Sequence, residues 1–154
     1  MTAMNIERIT LPALTVIGRE GSTHDGPGFI QKLWAEANGH FSEIEPLVRR
    51  SESGTPVGFW GAMSDFSLSF RPWENDFSEG LYLAGAECAE DAAPPEGWTK
   101  WVIPAFEYLK VENADFPAVL RYMAENHLPL AGAVHDFTDP ATGRGYMLFP
   151  VRKL

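Results

Sequence analysis

The segment IPAFEYLKVEN, residues 103–113, repeats in outline the earlier segment LPALTVIGREG, residues 11–21. Each places an aliphatic residue before Pro-Ala, continues with an apolar run, and ends in charge with Gly or Asn. Both read as strands. The elements after them are shared as well. Asp25-Gly-Pro27 supplies a helix start, and Ile30, Leu33, Trp34, Ala37 and Phe41 recur at helical spacing until Pro46 and the run Ser51 to Pro56 end the pattern. In the second copy Asp115 is an N-cap and Pro117 lies in the first turn, with Phe116, Val119, Leu120, Met123 and His127 forming one stripe closed by Asn126 and Pro129.

After each helix comes a similar short segment, GAMSDF at 61–66 and GAVHDF at 132–137, and then an apolar strand with tyrosine in third place, GLYLAGAE at 80–87 and RGYMLFPV at 144–151. The order strand, helix, strand, strand therefore occurs twice. One such unit is too small a sheet to stand alone, whereas two paired about a pseudo-twofold axis complete a sheet. The expectation is an α+β fold: a tandem β-α-β-β repeat forming one curved antiparallel sheet with two helices and a central cleft. The 154 residues fit one domain, with halves at about 1–91 and 98–154 joined by the stiff stretch Ala92 to Gly97. Arg71 to Glu79, polar but with two large aromatics, suits a hairpin tip or a flap over a cavity.

Charge and composition narrow the function. A net charge of −9, with 12 basic against 21 acidic residues, opposes direct nucleic-acid binding and favours cations. Neither a signal-like start nor a long apolar run is present, so the expectation is a cytoplasmic protein without a membrane partner. Cys88 is the single cysteine, and His24, His40, His127 and His135 lack metal-ligand spacing, so neither a metal nor another cofactor is expected. Nucleophile elbows, phosphate-binding loops and dinucleotide fingerprints are absent.

Strand parity selects candidate site residues. Trp60, Ala62 and Ser64 share one face of the first copy, and His135 and Phe137 match it in the second; Tyr82 is aligned with Tyr146 and Ala84 with Leu148. One face is thus expected to gather Trp60, Tyr82, His135, Phe137 and Tyr146 around a hollow, with Tyr108 on the 103–113 strand and Leu148 completing the binding set. His135 supplies a polar anchor or a general acid or base. Glu87 and Glu107 read as solvated edge residues or as counter-charges for a cationic ligand.

The pieces LPALTVIG, FIQKLW, GLYLAGAECAE, PPEGWTKWVIPA and GYMLFPV, in that order and spanning nearly the whole chain, resemble the GyrI-like small-molecule-binding superfamily. These are also called AraC effector-binding domains, and the likeness is greatest to the stand-alone integron-cassette branch. The resemblance implies a tandem β-α-β-β fold with a cleft for amphipathic, often cationic, organic molecules, built from aromatics and a central glutamate. The family's late motif falls here on Val134-His135-Asp136-Phe137, so His135 replaces that glutamate, with Asp136, Glu87 or Glu107 as substitutes. The family's late tyrosine is Leu148. A stand-alone binding protein for a small amphipathic organic ligand, with a transcription-effector or drug-binding role, is the first expectation. Two others stay open: hydrolysis of an electrophilic small molecule with His135 activating water, and a gyrase-inhibitor-like module whose acidic surface meets a basic protein partner.

Overall fold

The computed structural model describes residues 5–154. The two expected units are β2 (Leu14–Ser22), α1 (Phe29–Gly39), β3 (Phe59–Ser64) and β4 (Leu81–Cys88), then β6 (Phe106–Glu112), α3 (Phe116–Glu125), β7 (His135–Thr138) and β8 (Gly145–Lys153). Each is preceded by a strand the repeat analysis did not separate, β1 (Ile6–Leu11) and β5 (Thr99–Ile103). A single distorted turn, α2 (Glu74–Phe77), lies in the Arg71 to Glu79 loop and carries Asn75 and Asp76 at positive φ. The described residues form one antiparallel sheet of eight strands in the order β1-β6-β8-β7-β3-β4-β2-β5. The halves meet at β3 and β7, where Gly61 lies opposite Asp136 and Trp60 opposite Phe137.

The leading strands are exchanged. β1, just before β2 in sequence, pairs with β6 of the other half, and β5, just before β6, pairs with β2. Pro12-Ala13 and Pro104-Ala105 are the whole of each crossing. The repeated aliphatic-Pro-Ala phrase is therefore the crossover itself: its first residue ends one strand, and proline, having no N–H, breaks the ladder.

That link fixes the curvature. Leu11 and Leu14 are separated by two residues, a reach of about 11 Å, yet β1 and β2 stand at nearly opposite ends of the strand order. Laid flat, six strand spacings would part them by about 29 Å. The sheet must curl until its edges approach. Ile9 and Leu11 of β1 accordingly share a core with Trp101 and Ile103 of β5. Gly18 and Gly85, directly opposite one another in β2 and β4, permit a backbone approach along the curl that leaves no room for a Cβ.

The helices cover the outer face. Leu33 and Ala37 of α1 pack over Ile17, Ala84 and Ala86, while Val119 and Met123 of α3 pack over Leu109, Val111 and Phe149. α3 has 10 residues, too short for stability in isolation, and burying each such side chain contributes about 1.5–3 kcal/mol. Asp115 caps it by accepting from the Ala118 N–H at 3.4 Å. Its stripe stops short of His127, which lies past the Asn126 C-cap at φ 56°. α1 begins at Phe29 because Asp25 is engaged by the Ser22 N–H at 2.8 Å in a preceding turn, and Phe41 falls in a separate turn. Among the described residues, no helix is long and apolar enough to cross a membrane.

Candidate functional site

The inner face carries most of the aromatic residues singled out in the sequence, but it is filled. Trp60, Tyr108, His135 and Leu148 are 0–1% exposed and share one neighbourhood with Leu83, Trp101 and Phe106. His135 lies 5.7 Å from Trp60 and 6.3 Å from Tyr108 between ring centroids. The expected open hollow is corrected to a closed core, because the two-residue crossings curl the sheet onto itself. Phe70 closes one end. Its ring meets Trp101 edge-on at 5.9 Å, its N–H donates to Ser64 Oγ at 3.0 Å, and its carbonyl accepts from the Ala133 N–H at 2.9 Å. At another margin Lys110 Nζ lies 4.3 Å from the Tyr146 ring centre and 5.6 Å from that of Phe137.

His135 belongs to the seam. Its Nδ1 accepts from the Met63 N–H at 3.0 Å, bridging β7 and β3 where their ladder ends. That bond assigns the ring proton to Nε2. Burial lowers the imidazole pKa to about 3, so the ring is neutral at physiological pH and sealed from solvent. Glu107 sits between Arg8 and Arg152 at 2.6 and 3.1 Å, and Glu87 lies 3.4 Å from Arg49. Both glutamates have cationic partners within the chain.

Tyr82 is on the opposite face from Trp60. Alternation along a strand sets side-chain parity, but only inter-strand register sets its phase relative to the neighbour. Ala62 pairs with Leu83 and Met63 with Tyr82, so Leu83 joins the Trp60 face and Tyr82 turns toward the helices. There it anchors a part-buried relay. Trp34 Nε1–H donates to Tyr82 Oη at 3.1 Å, and the Tyr82 hydroxyl donates to Asp136 Oδ2 at 3.0 Å. Burial and then the Asp136 charge raise the Tyr82 pKa, and burial raises that of Asp136 despite the tyrosine's hydrogen bond. Gly61 makes space for the relay, since a Cβ there would lie 2.6 Å from Tyr82 Cζ and 3.0 Å from Asp136 Cβ. Replacing Tyr82 with Phe strips the relay of its middle member, and a loss of about 1–3 kcal/mol in urea unfolding is expected. Carbon-detected NMR titration should also find Asp136 ionising at higher pH in that variant.

Beside this relay, on the outer face between α3 and the 71–79 loop, lies a cavity of about 620 Å³. Met63 and Val134 of the seam, Met147 of β8, Phe116 and Leu120 of α3, and Trp73 and Phe77 of the 71–79 loop form its walls. Trp73 is fixed by its Nε1–H donating to the Leu81 carbonyl at 2.9 Å, and Phe77 meets Phe116 edge-on at 5.2 Å. The loop is thus a flap over a cavity. Asp76 contributes the charge in its lining, and Asp136 lies directly across from Met147 in the β7–β8 pairing. Met63, Met147, Phe116 and Leu120 were not singled out as ligand residues in the sequence; the signal that pointed here was the pair of large aromatics in a polar loop. Among the described residues, no cluster of three or more His, Cys, Asp or Glu is arranged to hold a metal. Cys88 is buried, which pushes its thiol up to about 11.

No protein-family model matches the sequence, and none of the curated proteins matches it. Solved structures do match in fold. The EcmrR C-terminal domain superposes with a TM-score of 0.66 at 13% identity, covering 99% of this chain and 100% of that one. SAV2435 bound to tetraphenylphosphonium gives 0.57 at 14%, covering 97% and 94%, and an integron cassette protein from the mobile metagenome of Vibrio cholerae gives 0.52 at 14%, covering 96% and 95%. The chain spans 58% of the EcmrR chain in its complex with DNA. The architecture of this chain is the fold that these structures share.

Proposed function

We propose that this chain binds an amphipathic organic cation of drug-like size in the outer-face groove between α3 and the 71–79 loop, with the ligand's apolar body under the flap and its charge toward Asp76 and Asp136. The observation that carries this reading is the 620 Å³ cavity, a volume typical of small-molecule sites, walled by aromatic and aliphatic side chains with a carboxylate in the lining. Met63 and Met147 give it walls that adapt to differently shaped guests. A net charge of −9 attracts cations to the whole surface. SAV2435, which shares the fold, was solved with a lipophilic cation. The site differs from the one expected from strand parity: it lies on the outer face, with Asp136 rather than His135 as the polar residue of the late motif.

Tetraphenylphosphonium and tetraphenylborate have nearly the same shape and opposite charge, so calorimetric titration with both separates charge from hydrophobicity. Saturable binding of the cation at micromolar strength, at least about tenfold tighter than the anion, is the expected result. Leu120→Trp should fill the cavity and remove binding. Saturation with neither ion would overturn the reading, and equal binding of both would remove the carboxylates from it.

A further inference from the structure

A second pocket, of about 230 Å³, shares no lining residue with the cavity under the flap. It lies at the C-terminal end of α1, and four aromatic residues contribute to its walls: Trp34, Phe41, Phe59 and Trp98. Phe41 and Phe59 meet nearly perpendicular, with centroids 5.9 Å apart and planes at 83°, and so make a corner. Trp98 is held from behind, its Nε1–H donating to Glu43 Oε1 at 2.9 Å. Asn38 is the polar side chain in the lining.

From this geometry we infer a second binding site, an aromatic cage for a compact methylated ammonium group such as the trimethylammonium head of a choline-type molecule. Its size suits a compact guest, since sites for drug-sized ligands typically begin at about 300 Å³. Electrostatics favours a cation. Aromatic faces attract positive charge, indole most strongly, and Trp98 already carries one, with the Arg19 guanidinium 4.5 Å from its ring centre. Glu43, 3.9 Å from Arg19, places a carboxylate against the indole N–H and offsets that arginine's charge. The lining itself contains no carboxylate. A primary ammonium would therefore lose its water without recovering its hydrogen bonds, whereas a methylated one presents apolar surface to the rings. Asn38 is left for a hydroxyl carried on the same small molecule.

Choline and its neutral carbon isostere, 3,3-dimethylbutan-1-ol, test this on the full chain, with the tryptophan indole N–H resonances observed by NMR. Choline is expected to shift the Trp98 indole resonance saturably and to bind at least about tenfold more tightly than the isostere. Phe41→Leu should weaken choline binding by a similar factor while leaving tetraphenylphosphonium binding unchanged. Equal binding of choline and isostere would overturn the inference, as would choline-induced shifts confined to Trp73, which reports the other cavity. The isostere comparison needs no substitution, so it decides the matter even if the variant fails to fold.

Discussion

A chain carrying Gly85→Ala should lose about 4 kcal/mol of stability, among the largest effects of any single methyl group, and should accumulate poorly in soluble form. A Cβ at Gly85 would lie 2.6 Å from Gly18 Cα and 2.7 Å from the Ile17 carbonyl carbon, and a Cβ at Gly18 would lie 2.6 Å from the Ala84 carbonyl carbon. The obstacles are backbone atoms of a paired strand. They cannot swing aside as a side chain can, so β2 and β4 would have to separate at the point where the sheet curls. Gly39 is the internal control. It ends α1 with open space around it, and alanine there should be neutral or stabilising by up to about 1 kcal/mol. Urea midpoints of the three proteins would check this, and a Gly85→Ala chain as stable as its parent would refute the close approach.

The second large effect is acid sensitivity centred on His135. With its pKa lowered to about 3 by burial, the imidazole stays unprotonated in the native chain while the unfolded chain takes up a proton below about 6.5. The unfolded state binds more protons between those values, so stability falls as pH falls through that window. At pH 4.5 the penalty is about 2.7 kcal/mol, two pH units at about 1.36 kcal/mol each. Asp136 and Glu87 act in the opposite sense, because their raised pKa values cost stability when both are ionised and that cost is relieved on acidification. The informative quantity is therefore the difference between the parent and His135→Asn, whose side-chain oxygen can still accept from the Met63 N–H. Unfolding curves at pH 7.5 and 4.5 should show the parent losing more stability than the variant. Equal losses would mean that His135 does not titrate on unfolding.

The repeat was readable because each unit has its own local signals: Asp115 as a cap, Pro117 in a first turn, and apolar stripes at helical spacing. Curvature was not readable locally. It follows from β1 and β5 pairing across the molecule, and neither IERITL nor TKWVI carries a mark of which strand it will join. GAMSDF and GAVHDF share letters, but the first is strand through Ser64 and the second becomes strand only at His135. Likewise, aligning Tyr82 with Tyr146 was one residue out of phase, and with a period of two that error moves a side chain through the sheet. Tyr146 shares its face with Phe137, opposite which it is paired, and Tyr82 does not. The flap was legible because Trp73 and Phe77 stand out in a polar stretch; Met63 and Met147 were not, since on any strand they look like ordinary core.

Exchange of the leading strands also dictates an order of events during synthesis. β1 leaves the ribosome first and then waits through the whole first unit and the 92–97 connection before β6 is made, while β2 waits for β5. Until then β1, β2 and β3, the last waiting for β7, all present bare edges, the feature that most invites mispairing with other chains. Production of this fold is accordingly governed less by the strength of either unit than by how long those edges are left without their distant partners.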